Sequence, residues 1–199
     1  MRKLSILLAL LALTAMAQKP ETVLDKALAN LSKSGLITAD YKVASAQGAT
    51  SGSIAMKGNK FRILSADVKS WYDGKTQWTY AKATGEVNIS TPAAADLQMS
   101  NPYVAAKNYK SSFNLPKTVE KSGSYYVVKL TPKKKAEFKS LTLYVGTSNY
   151  NIHKARFAMA NGTETIISIS NYKTNVKMPN PFAFNKALVP KGTPIVDLR

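Results

Sequence analysis

Ser70–Tyr80 reads SWYDGKTQWTY and contains both tryptophans of the chain. Asp73-Gly74 is a strong hairpin signal, because a two-residue turn of this kind needs positive φ at both central positions and Asp-Gly supplies it at little steric cost. Such a turn sets Tyr72 opposite Lys75, Trp71 opposite Thr76 and Lys69 opposite Trp78. Side chains alternate along a strand, so Trp71, Trp78 and Tyr80 are expected on one face, with Ser70, Tyr72, Gln77 and Thr79 on the other. Gly58-Asn59 marks a preceding hairpin that pairs Met56 with Phe61 and Ile54 with Ile63. Thr84-Gly85 marks a following one that sets Ile89 opposite Tyr80. Read together, the three hairpins are expected to agree on one apolar face made of Ile54, Met56, Phe61, Ile63, Trp71, Trp78, Tyr80 and Ile89.

Upstream, Pro20 opens a segment in which Val23, Leu24, Ala27, Leu28 and Leu31 recur at helical spacing and Gly35 ends the run; this predicts an amphipathic helix. Downstream, alternation stops between Pro92 and Leu115. Ala93–Met99 has helical character, and Asn101-Pro102 caps and starts a second short helix through Tyr103 and Val104. Strands are expected again at Tyr125–Thr131, Leu141–Val145, Ile152–Met159 and Thr165–Tyr172. The tail from Pro179 to Arg199 is rich in proline and suits an extended or edge-lying segment. The layout predicts an α+β fold: a single antiparallel sheet, long enough to curl into a barrel or an incomplete β-barrel, with short α-helices segregated to one face.

The first residues, MRKLSILLALLALTAMA, pair Arg2 and Lys3 with a short apolar run and an Ala15-Met16-Ala17 cleavage-type site. They are expected to be a signal peptide (1–17) directing residues 18–199 to the periplasm as one domain. No cysteine occurs, so neither disulfides nor a lipid-modified cysteine is expected. Removing Arg2 and Lys3 leaves 26 of the 28 basic residues against 11 acidic ones, a formal +15. That balance favours anionic partners, while export argues against nucleic acid. The charge is spread; Lys133-Lys134-Lys135 reads as a solvated turn or face.

Residue inventory removes most catalytic chemistry. His153 is the single histidine and cysteine is absent, which excludes a conventional zinc site and a cysteine nucleophile. No serine stands in a Gly-x-Ser-x-Gly context, and the glycines near Gly48, Gly52 and Gly58 are too dispersed for a phosphate loop. Asp73 is accounted for as a turn former and Asp96 as a polar helix position. No enzyme activity, metal or cofactor is expected.

The run Asp73-Gly74-Lys75, Trp78 and Tyr80, followed by Glu86-Val87, resembles the hairpin signature of the outer-membrane lipoprotein carrier family, the LolA-like periplasmic chaperones. Pro181-Phe182-Ala183-Phe184 and Pro194-Ile195-Val196-Asp197 are more loosely similar to the family's C-terminal end. The resemblance implies an unclosed antiparallel barrel whose apolar cavity, under a helical lid, holds the acyl chains of lipoproteins. It further implies an inner-membrane lipoprotein-releasing transporter and an outer-membrane acceptor as partners, transient contact with membrane surfaces, and a monomer. Many family members carry an arginine near the turn after the second strand; this chain has Lys57-Gly58 there. From the residues alone, the aromatic face is either sealed core or ligand cavity, since both are mostly apolar. Two other readings remain open: a binding protein for another amphiphile or anionic glycan, and a non-catalytic envelope sensor or structural protein.

Overall fold

Pro20 occupies the first turn of helix α1 (Pro20–Lys33), where its missing N–H costs no hydrogen bond, and Glu21 and Lys33 complement the helix dipole at its two ends. The computed structural model describes residues 18–94, 96–97 and 101–199; the expected signal peptide lies outside them. Val23, Leu24 and Ala27 form the buried face of α1. Of the helix expected over Ala93–Met99, residues 94, 96 and 97 are helical, Ala93 is not, and the rest lies outside the described residues. Two short helices follow, α2 (Pro102–Lys107) and α3 (Tyr109–Ser112).

Among the described residues thirteen strands form one sheet. They are β1 (Ile37–Ser45), β2 (Gly48–Lys57), β3 (Lys60–Ser65), β4 (Val68–Tyr72), β5 (Gln77–Ala81), β6 (Glu86–Ser90), β7 (Phe113–Asn114), β8 (Glu120–Ser122), β9 (Tyr125–Pro132), β10 (Phe138–Gly146), β11 (Ile152–Met159), β12 (Glu164–Lys173) and β13 (Ile195–Asp197). The spatial order is β13-β6-β5-β4-β3-β2-β1-β12-β11-β10-β9-β7, with β8 also on β9. The sheet therefore has two ends and does not close into a barrel. Neighbours pair antiparallel except at one edge, where β13 runs parallel to β6. The proline-rich tail thus does lie along an edge, as its composition suggests. None of the helices among the described residues is long and apolar enough to cross a membrane.

The first hairpin has the expected register, Met56↔Phe61 and Ile54↔Ile63. The second is shifted by two residues, to Trp71↔Trp78 and Lys69↔Tyr80. Asp73 is the cause. Its Oδ1 accepts from the backbone N–H groups of Lys75 and Thr76, both at 2.8 Å, so the side chain closes a four-residue turn where Asp-Gly alone suggested two. The third hairpin is also shifted by two, setting Trp78 opposite Ile89 and Tyr80 opposite Val87. A shift of two keeps every side chain on its expected face within each hairpin.

The relation between hairpins is different from the expectation. Strand β3 pairs with β4 as Phe61↔Tyr72 and Arg62↔Trp71. Phe61 therefore shares a face with Tyr72, and Trp71 shares the opposite face with Arg62. The single apolar face expected from the three hairpins is two faces. The turn joining β3 to β4 sets this phase: the Ser65 hydroxyl donates to the Val68 carbonyl at 2.9 Å and accepts from the Val68 N–H at 3.0 Å.

The α-helices pack on one of these faces, the inner one. Two buried clusters lie on it. At one end Val23, Leu24 and Ala27 of α1 pack with Tyr109, Val128, Leu130 and Val145. At the other, Ile37, Met56, Phe61 and Tyr72 are joined by half-buried Leu31, Leu97 and Tyr103.

Candidate functional site

The inner face between those two clusters is apolar but not packed into either. Cross-strand pairs Tyr41↔Ile169 and Val43↔Ile167 link β1 to β12, and Ala155 lies opposite Ile167 on β11. All five side chains are half-buried and outside both clusters. Ile54 and Ile63 continue the stripe toward the second cluster, again half-buried. The result is a half-buried apolar stripe, or trough, across the middle of the sheet, flanked by the clusters into which α1 and α2 pack. Gly52 shapes its floor. A Cβ at this position would overlap the Leu64 carbonyl oxygen and the Tyr41 ring, so only glycine lets the Tyr41 side chain lie across the strand.

The helices at these flanking clusters are also held by polar contacts. Asn101 is fully buried; its Oδ1 accepts from the N–H of Tyr103 at 2.9 Å and Val104 at 3.4 Å, and its Nδ2 donates to the Asn59 carbonyl at 2.6 Å. One side chain thus caps α2 and ties it to the β2–β3 turn. Across the first cluster, the Tyr109 hydroxyl donates to Asp25 Oδ1 at 2.7 Å and Lys110 reaches Asp25 Oδ2 at 3.0 Å, joining α3 to α1. The Tyr109 hydrogen bond, followed by the Lys110 charge, holds the Asp25 carboxyl below its ordinary range. Burial and the same contact push the Tyr109 phenol up. Among the described residues the Tyr172 hydroxyl, beside the second cluster, is buried without a hydrogen-bond partner, and burial pushes its pKa up.

Of the eight residues expected to line one cavity, the structure places Ile54, Met56, Phe61 and Ile63 on the inner face. Met56 and Phe61 are core there, while Ile54 and Ile63 border the trough. Trp71, Trp78, Tyr80 and Ile89 are on the outer face, opposite α1 and α2. Trp71 is 0% exposed and Tyr80 6% exposed, but their cover is the C-terminal tail. Phe184 sits edge-on to Trp71 with ring centroids 5.3 Å apart, Lys69 Nζ donates to the Leu188 carbonyl at 2.7 Å, and β13 clamps the end of the tail to β6. Trp78 is half-buried beside a shallow pocket of about 500 Å³ formed with Pro181, Phe182 and Phe184. Arg62 is also on the outer face, so it does not point at the helices; burial lowers its pKa. The trough residues missed from sequence are Tyr41, Val43, Ala155, Ile167 and Ile169. Their signal was present as plain alternation in β1, β11 and β12.

A family model described as outer membrane lipoprotein carrier protein LolA matches residues 10–163. No curated protein matches by sequence. Among solved structures, an uncharacterized conserved protein from Thermus thermophilus is similar with a TM-score of 0.62 and 14% identity, over 89% of this chain and 98% of that one. A chain of the Pseudomonas aeruginosa MucA/MucB complex is similar with a TM-score of 0.50 and 13% identity, over 85% of this chain but only 62% of that one. A LolA superfamily protein from Nitrosomonas europaea aligns with a TM-score of 0.45 and 14% identity, over 84% and 99%. At these identities the likeness to the first two is one of fold.

Proposed function

Because this chain belongs to the family of the outer membrane lipoprotein carrier protein LolA, we propose that it is a periplasmic carrier that shelters the acyl chains of lipoproteins between the inner and outer membranes. The observation that carries this reading is the half-buried apolar stripe Tyr41, Val43, Ile167 and Ile169, which joins neither buried cluster, with Ile54 and Ile63 packed against the second cluster at its edge. A sealed core would pack those side chains; a cavity leaves them for a ligand. Moving an acyl chain from water into such a trough is worth about 0.8 kcal/mol per methylene, on the order of 10 kcal/mol for one long chain. That is enough to make unassisted passage through water negligible, and it calls for no catalytic group.

Transfer then needs a donor, a lid that moves and an acceptor with a better site. An inner-membrane transporter and an outer-membrane acceptor fill the two outer roles, and the net positive charge assists approach to anionic surfaces. The lid would be α2, whose polar tie to the sheet is the Asn101 contact with the Asn59 carbonyl. The unpartnered Tyr172 hydroxyl suits an acyl ester or amide carbonyl, since a buried hydroxyl without a partner costs about 1–3 kcal/mol.

The test is capture of a purified triacylated lipopeptide. Ile54→Glu combined with Ile167→Glu puts carboxylates into the trough and is expected to abolish capture with the circular dichroism unchanged. Trp78→Ala, on the outer face, is expected to retain it. Capture lost in Trp78→Ala and kept in the trough variant would overturn the assignment.

A further inference from the structure

A second groove lies at the hairpin end of the sheet, outside the trough. After β12 the chain turns back as residues 174–182 and runs past the corner between α1 and β1, where the Val176 N–H donates to the Leu36 carbonyl at 3.0 Å. Between this strap and the β2–β3 turn is a groove of about 760 Å³, within the range of ~300–1,000 Å³ usual for small-molecule sites. Leu36, Val176, Met178 and Phe182 give it an apolar wall. Lys57, Lys60 and Lys177 line it as well, and it has no acidic lining residue. Among the described residues none of these three lysines is in an ion pair.

Three like charges gathered on one apolar groove repel one another unless an anion joins them. A water-soluble anion would satisfy the lysines but leave the wall wet, and a neutral lipid would do the reverse. We propose that this groove binds a single-chain amphiphile with a phosphate head, the phosphate held among Lys57, Lys60 and Lys177 and the chain laid along Met178 and Phe182. Lysine serves here as a mobile point charge on an alkyl stem that itself adds apolar surface. Phosphate fits better than carboxylate because its second charge uses the third lysine. The site is separate from the trough and does not depend on the carrier role.

Isothermal titration of the purified protein with monomeric dodecyl phosphate tests this. Saturable binding with one lysine-dependent and salt-sensitive site is expected, that site weakened at least tenfold in Lys57→Gln/Lys60→Gln/Lys177→Gln and weakened by added salt. Inorganic phosphate and dodecyl maltoside are each expected to bind at least tenfold more weakly than dodecyl phosphate. The trough variant Ile54→Glu/Ile167→Glu is expected to keep the lysine-dependent, salt-sensitive site at unaltered affinity for dodecyl phosphate. Failure of the carrier reading leaves this site intact, because the two sets of variants touch different residues. No binding, or equal binding by the lysine variant, would overturn the site. Equal binding of inorganic phosphate would overturn the role of the apolar wall, equal binding of dodecanoate the choice of phosphate, and binding only to anionic vesicles the choice of a single-chain ligand.

Discussion

Phe184→Ala removes the ring that closes the outer aromatic cluster, and its effect can be worked from the contacts. The edge-on pair with Trp71, centroids 5.3 Å apart at 78°, contributes about 1 kcal/mol beyond burial. Phe184 is half-buried, so truncation forfeits roughly half of a full aromatic burial, about another 1 kcal/mol. The sum of about 2 kcal/mol corresponds to a fall in Tm of roughly 4–8 °C for a domain of this size. The substitution is best made in a Trp78→Phe background, which leaves Trp71 as the sole tryptophan. Trp71 is 0% exposed, so its emission is expected to be blue and poorly quenched by acrylamide in the parent, and red-shifted and quenchable after Phe184→Ala. Phe184→Leu keeps the apolar cover but not the ring pair, and is expected to lose about half as much stability. A Tm change below about 1 °C with Trp71 emission unmoved would refute the reasoning that the tail seals this face.

Asn101→Ala removes a helix cap and the tie to Asn59, and is expected to cost about 2 kcal/mol in urea unfolding; hydrogen exchange in α2 is expected to rise more than in β9 and β10. Gly52→Ala forces the backbone away from Leu64 and the Tyr41 ring, with an expected loss on the order of 2–3 kcal/mol and weaker lipopeptide capture. The Asp25 carboxyl is held below its ordinary 3.8 by Tyr109 and then Lys110, so its contribution is present above that value and is lost as pH falls through the lower folded one. Asp25→Asn is expected to lower stability at neutral pH and to flatten the acid limb of the Tm–pH curve below about 4. Tyr109, raised above its ordinary 10.0 by burial and then by Asp25, has the opposite sign: its contribution is full below pH 10 and is lost as pH climbs beyond it. Tyr109→Phe is expected to remove that alkaline loss.

Local patterns in the sequence carried much of the fold. The helical spacing of Val23, Leu24 and Ala27 gave the buried face of α1, and Gly58-Asn59 gave the register of Met56 and Phe61, because each depends only on near neighbours. Asp73-Gly74 gave the hairpin but not its length, since the Asp73 side chain, as well as the backbone, closes the turn. What local patterns did not contain was the phase between β3 and β4. Ser65-Ala66-Asp67-Val68 has no glycine or asparagine to declare its geometry, yet it decides that Phe61 and Trp71 lie on opposite faces. The aromatic density around Trp71 and Trp78 therefore falls on the face opposite α1 and α2. The tail that covers those rings shows no alternation, so its docking on them depends on contacts distant in sequence. Ile167 and Ile169 were legible as a strand, but their place in the trough needed the long-range pairing of β12 with β1.

Isoleucine-methyl NMR during titration with a triacylated lipopeptide tests the central claim most directly. The account predicts saturable shifts at Ile54, Ile63, Ile167 and Ile169, with the Trp71 indole signal unmoved. Shifts confined to Trp71, Trp78 and Ile89 with the trough isoleucines silent would contradict it.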